Sequence, residues 1–319
     1  MKTKLLLLLP IVLLLTCCKQ QTIHEERSLP NHPGPIKISG AFALYPLTQV
    51  WVAEYQKTHP YVKFDLQAIG SGKGLNEIIA GKTDLAMISS DLPSGVDTSL
   101  WVIPVARLAC VPIISPKNPY LKEILKAGIK KDDLTGLFSN NNPKTWGEIF
   151  GKTAKDRASV YIRSDSSGAT DVLARYLWLQ TSEMKGTPVS GEDKMLDAVK
   201  NDPFALGYCN FIYAIDPNTR HFKNDMLILP IDLNQNGKLD LKENFYDSID
   251  HLQRAMWSGR YPCVLTRNLY LVSKGKPATK EMVEFLIWVL TDGQKLVPSQ
   301  GYIELHSFEI PPRLYALKN

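Results

Sequence analysis

VKFDLQAIGSGKGLNEIIAGKTDLAMISS, residues 62–90, decides the fold class. Val62, Phe64, Leu66 and Ala68 alternate with polar residues, which predicts a half-buried strand. GSGKG at 70–74 then opens a helix carrying Leu75, Ile78 and Ile79, and Gly81 closes it. DLAMISS is a second strand. Strands alternating with helices imply an α/β sheet. The glycines invite a nucleotide-loop reading, which fails. The GxxxxGK[ST] pattern needs Gly at 67 and Ser or Thr at 74, where this chain has Gln67 and Gly74.

The pattern extends outward. IKISG at 36–40 is a strand, and Pro46 opens a helix with Leu47, Val50, Trp51 and Tyr55 on one face. SVYIR at 159–163 is another strand, followed by a helix over SSGATDVLARYLWLQ. ALGYCNFIYA (205–214) and MLILPID (226–232) read as strands, and DSIDHLQRAMWSG as a helix. NLYLVSKG begins a closing unit, in which Met282, Phe285, Leu286, Val289 and Leu290 recur at helical spacing.

The 319 residues are 44% hydrophobic and 22% charged, enough for two domains with their own cores. Lys2 and Lys4 precede an apolar run from Leu5 to Leu15, the pattern of a secretory signal. It is shorter than the ~20 residues of a spanning helix. Thr16-Cys17-Cys18 follows, so residues 1–17 are expected to be removed and Cys18 lipidated, with Cys17 as the alternative. KQQTIHEERSLPNHPGP then completes a polar tether over 18–35. Net charge is +5, or +3 without Lys2 and Lys4. No basic run with interleaved aromatics suggests nucleic acid. Cys110, Cys209 and Cys263 offer neither a disulfide framework nor a CxxC pair.

Three strand-to-helix turns are rich in Gly and Ser: SGAFALYP at 39–46, GSGKG at 70–74 and RSDSSGATD at 163–171. Helix starts leave N–H groups unpaired and carry partial positive charge, which suits an anion. Arg163 adds a planar fork matched to an oxyanion. No HExxH or GxSxG pattern occurs, and the histidines are dispersed.

With ISGAFALYPLTQVWVAEYQKTHP, AIGSGKGLNEIIAGKTDLAMISSDL and YIRSDSSGATDVLARYLW in this order, residues 36–305 resemble the extracytoplasmic phosphate-binding proteins of ABC transporters. YLVSKGKP and FLIWVLTDGQKLVPSQGY extend the likeness. The resemblance implies a two-lobed, periplasmic-binding-protein-like α/β fold with a two-strand hinge and a ligand cleft between lobes. Residues 36–113 and 263–319 would form lobe 1, and 114–262 lobe 2. It implies no enzyme activity and no required cofactor. The partners would be inorganic phosphate and a membrane permease. The protein would be a monomer, lipid-anchored in the cell envelope and facing the periplasm or exterior.

Carried over residue by residue, the phosphate ligands would be Leu44, Tyr45, Ser71, Asp91, Arg163, Ser167, Gly168 and Ala169. Leu44 and Ala169 stand where the family usually has Thr, so two hydroxyls are missing, with Thr170 adjacent as a stand-in. The family's carboxylate accepts the proton that phosphate keeps and sulfate lacks. Asp91 takes that place, or Ser90 if the alignment carries a one-residue gap. Sulfate, molybdate or tungstate is the alternative ligand. A phosphatase and a calcium-dependent surface module are further alternatives.

DLNQNGKLDLKE at 232–243 has calcium-loop spacing. Asp232, Asn234, Asn236, Lys238, Asp240 and Glu243 would be ligands and Gly237 the sharp turn. A strand rather than a helix precedes it, so the expected calcium is a structural clip.

Overall fold

The computed structural model describes residues 30–90, 92, 99–139, 145–153, 156–165, 167–223 and 226–319. The expected signal segment, Cys17, Cys18, the first part of the tether and Asp91 lie outside the described residues. Pro30 and His32, near the tether's end, are fastened. Pro30 O accepts from Lys280 N at 2.9 Å, and His32 N donates to Glu281 Oε2 at 2.5 Å. Among the described residues, no helix is long and apolar enough to cross a membrane.

The first lobe begins β1 (Ile36–Gly40), α1 (Tyr45–Thr58), β2 (Phe64–Ala68), α2 (Ser71–Ile79), β3 (Leu85–Ile88). β1 pairs in parallel with both β2 and β3, as the βαβ pattern of 62–90 requires. Leu47, Trp51 and Tyr55 of α1 are buried, with Trp51 Nε1 donating to Gly293 O at 2.9 Å. LAMI of β3 is buried throughout, as an interior strand covered on both faces must be.

β4 (Leu100–Ile114) carries the chain across. The second lobe runs through α3 (Leu121–Ala127), β5 (Ile129–Lys130), α4 (Lys131–Phe138), α5 (Trp146–Ile149), β6 (Ser159–Arg163) and α6 (Gly168–Tyr176). It continues as β7 (Thr187–Val189), α7 (Glu192–Asn201), β8 (Ala205–Asn210), α8 (Phe211–Ala214), β9 (Ile215–Asp216) and β10 (His221–Phe222). β11 (Leu227–Ile228), β12 (Ile231–Asp232) and α9 (Ile249–Trp257) complete it. β13 (Thr266–Lys274) returns the chain to the first lobe, followed by α10 (Lys280–Leu290) and α11 (Ile310–Lys318).

One curled sheet has the order β2-β1-β3-β13-β4-β8-β6-β7, with β11 beside β4. β4 belongs to both lobes: Leu100–Ala109 pairs with β13, and Cys110–Ile114 with β8. The β4–β13 register shifts between Leu269 and Tyr270, which faces Pro104. Proline lacks the N–H for a regular ladder, so a bulge there is expected. One core gathers Ile36–Leu108 residues with Leu269–Leu317 residues, including Trp51, Phe285 and Leu286. The other runs from Ala109 to Leu265 and includes Trp146, Leu173 and Phe211, with Ile303 added. The molecule is thus two lobes joined by β4 and β13.

The apolar run 205–214, expected as one strand, splits: β8 ends at Asn210 and Phe211–Ala214 is helical. Cys110 and Cys209 are buried and Cys263 exposed, all as free thiols.

Candidate functional site

A cleft of about 720 Å³ lies between the lobes, and all three Gly/Ser-rich turns open onto it. At ~30 Å³ per water it has room for roughly two dozen waters, so a small anion fills it only if the lobes approach.

The first turn follows Gly40, whose φ is +137°. A Cβ there would lie 2.2 Å from Met87 O, so only Gly lets the chain turn against β3. Leu44 N and Tyr45 N both donate back to Ala41 O, at 3.2 and 3.1 Å. The Leu44 side chain is wholly buried in the first core. The N–H groups of Leu44 and Tyr45, both expected as phosphate ligands, are thus engaged within the turn. Ala41, Phe42 and Ala43 line the cleft instead. Among the described residues, the Phe42 and Ala43 amides have no hydrogen-bond partner.

The second turn starts α2 without a side-chain cap. Gly74 N closes the first helical turn onto Gly70 O at 2.9 Å. The amides of Ser71, Gly72 and Lys73 precede it at the positive end of the helix, and these residues line the cleft. Ser71 Oγ sits 3.2 Å from Ser89 Oγ and accepts from Ser89 N.

The third turn links β6 to α6. Ser167 caps the helix, with its Oγ accepting from Ala169 N at 3.3 Å. Ser167 and Gly168 line the cleft. Ala169 does not: it is fully buried in the second core, and its amide is used by the cap. Thr170, the expected stand-in for the missing hydroxyl, does not line the cleft, and its Oγ1 is 2.8 Å from the Tyr208 hydroxyl.

Arg163 lines the cleft with 7% of its side chain exposed. Nε and Nη2 donate to Asp165 Oδ1 and Oδ2 at 2.7 and 2.5 Å. Nη1 is 2.8 Å from Glu192 Oε1. Burial works against the Arg163 charge, but the two carboxylates outweigh it and hold its pKa above the usual value. The Arg163 hydrogen bond lowers the Asp165 pKa to about 2. Burial pushes Glu192 up, against the pull of Arg163. Asn210 Nδ2 donates to Glu192 Oε1 at 2.6 Å.

A second guanidinium, Arg267 of β13, escaped the sequence reading. Its Nε donates to Ser89 O, and its Nη2 to Asn210 Oδ1, both at 2.7 Å. Asp165, Glu192 and Asn210, also overlooked, line the same cleft. The available signal was an Arg inside the apolar run VLTRNLYLV, because Arg is almost never fully buried unless paired. Ser90, the alternative to Asp91, is on the cleft wall. Among the described residues, no His or Cys lines the cleft.

The loop at 232–243 uses its carboxylates internally. Asp232 accepts from Asn236 N and Gly237 N, at 3.3 and 2.7 Å. Glu243 accepts from Asn234 N and Asp240 N, at 2.9 and 3.0 Å. Asp240 Oδ2 takes the side-chain amides of Asn234 and Asn236, and Oδ1 is 3.2 Å from Lys238 Nζ. Among the described residues, no three His, Cys, Asp or Glu come together to hold a metal ion. The expected calcium set of Asp232, Asn234, Asn236, Lys238, Asp240 and Glu243 is corrected accordingly: N–H donors occupy the oxygens.

Several known proteins are similar to this chain. The phosphate-binding protein PstS of Methanocaldococcus jannaschii is 26% identical over 94% of this chain and 90% of its own length. The PstS of Bacillus subtilis is 24% identical, over 87% and 83%. A substrate-binding protein of a putative phosphate ABC transporter from Clostridium perfringens, solved with phosphate, superposes with a TM-score of 0.65 at 18% identity. That match covers 86% of this chain and all of the other. The sequence profile of the PBP superfamily domain matches residues 24–292, and the chain belongs to that superfamily.

Proposed function

We propose that this protein is the extracytoplasmic receptor of a phosphate importer: it closes its lobes on inorganic phosphate and delivers it to an ABC-transporter permease. No bond is made or broken. The observation that carries this reading is the convergence of three helix-start turns and Arg163 on one interlobe cleft. The names of the relatives, phosphate-binding proteins rather than enzymes, support it. Unpaired amides of Phe42, Ala43 and the first turn of α2, with Ser71, Ser167 and Gly168, offer donors to the oxygens of a tetrahedral anion.

The finer parts of the reading rest on the sequence. Residues 1–17 serve as signal peptide, and Cys18, or Cys17 in its place, carries the lipid that holds the chain to the membrane through the 18–35 tether. The sequence divides the chain into lobe 1 over 36–113 and 263–319 and lobe 2 over 114–262, while the cores part near Leu108/Ala109 and between Leu265 and Leu269; the protein works as a monomer. Asp91 accepts the phosphate proton and repels sulfate. Ser90, a hydroxyl on the cleft wall, favours the second reading, a receptor for sulfate, molybdate or tungstate.

The test is mass analysis of the anion retained by protein purified without added phosphate. Phosphate at about one per chain is the expected result. Sulfate, molybdate or tungstate in its place would establish the second reading, and an empty protein that takes up no oxyanion would overturn both.

A further inference from the structure

We propose that Arg267 is a second anion ligand of the cleft, and the one whose positive charge is kept free for the bound oxyanion. This rests on reading the cleft as an oxyanion site and names a contact that reading does not contain.

Arg163 and Arg267 differ in their counter-ions. Arg163 already has two carboxylates, Asp165 and Glu192. Arg267 has no carboxylate within ion-pair distance among the described residues. Its hydrogen-bond partners are a backbone carbonyl and an amide oxygen, both neutral. It is nevertheless 8% exposed. A buried cation without a counter-ion is costly, and guanidinium does not escape the cost by losing its proton. Burial does pull its pKa down from the usual value.

Arg267 brings an unused donor to the cleft lining. Nε and Nη2 are engaged, while Nη1 is buried without a hydrogen-bond partner, and the residue lines the cleft. A buried donor left unmade is expensive, and an oxyanion oxygen is the group that satisfies both its charge and its hydrogens. The α6 start is adjacent: a Cβ on Gly168 would lie 3.1 Å from Arg267 Nε and 3.3 Å from Cζ. Glycine there lets the helix terminus and the guanidinium stand side by side.

Arg267 is also held from both lobes. Ser89 follows β3 in lobe 1, Asn210 ends β8 in lobe 2, and Arg267 itself sits on one of the two connecting strands. Asn210 continues through Glu192, 2.8 Å from Arg163 Nη1, so one chain of polar and ionic contacts links the two guanidiniums. An oxyanion on Nη1 is thereby tied to the hinge, and the positive charge at the hinge replaces part of what the missing Leu44 and Ala169 hydroxyls would supply.

The experiment is calorimetric titration of inorganic phosphate into the wild-type protein, Arg267→Lys and Arg267→Gln, each checked for native melting. Alongside it, arginine side-chain NMR of the wild type is recorded with and without phosphate. Losing a charge-assisted contact predicts roughly ten- to hundredfold weaker binding for Arg267→Gln. A smaller loss is expected for Arg267→Lys, which keeps the charge but not the fork. The Arg267 resonances, identified by their absence from Arg267→Lys, should shift when phosphate is added. Wild-type binding with both variants within about twofold and unmoved Arg267 resonances would overturn the proposal alone. A wild type that binds no phosphate would overturn the receptor reading with it. Should one variant fail to fold, the other identifies the Arg267 resonances by their absence, and their response to phosphate in the wild type decides.

Discussion

Arg163 reaches the cleft with its charge already balanced, and that balance has a pH signature. The Asp165 pKa falls from 3.8 to about 2 in the folded chain. A depressed acid stabilises the fold above its unfolded pKa and loses that contribution as pH falls through the folded value. Asp165→Asn should therefore cost about 1 kcal/mol near neutrality, discounted because the carboxylate is partly exposed. The difference from wild type should shrink as pH falls from about 4 toward about 2, which acid melting curves would register. Glu192 acts in the opposite sense: its raised pKa favours the fold at low pH and is lost as pH rises through the folded value. The convergence of Arg163, Ser71, Ser167 and Gly168 on the cleft was legible because Gly, Ser and Arg at a strand-to-helix turn have a local physical meaning. Arg267 was not legible as a cleft residue, since its partners Ser89 and Asn210 lie 178 and 57 residues away. The engagement of the Leu44 and Tyr45 amides was hidden for a different reason. The family spacing is met, but the local turn spends both amides on Ala41 O.

The elements around the cleft depend on close backbone contact. α2 lies so near β1 that a Cβ on Gly74 would fall 2.7 Å from Gly40 Cα and 3.1 Å from Ser39 O. These are backbone atoms and cannot swing aside. Gly74→Ala should push α2 off the sheet, lower stability by about 1–3 kcal/mol and weaken anion binding, because the α2 amides move with it. Melting and titration of the variant check this. A variant with wild-type melting and wild-type affinity would contradict the packing argument. At this scale the βαβ units were legible from hydrophobic period and glycine punctuation. The end of β8 was not, because 205–214 is apolar without Gly or Pro after Asn210, and period alone does not separate a short strand from a helical turn. The loop at 232–243 shows the reverse case: its spacing is legible, but which donors fill the carboxylate oxygens is a three-dimensional fact.

For the whole molecule, the two cores part near Leu108/Ala109 and again between Leu265 and Leu269, on β4 and β13. Binding energy from turns on both sides of the cleft is realised fully only when the lobes come together. Micromolar affinity requires ~8 kcal/mol, which several charge-assisted contacts of roughly 1.5–3 kcal/mol each supply after entropic losses. The most direct measurement is calorimetric titration of the phosphate-free protein with phosphate and, separately, with sulfate. The account predicts saturable heat with phosphate at one site per chain, much weaker binding of sulfate, and no heat from Arg163→Ala. No heat with phosphate, or equal affinity for the two anions, would contradict it.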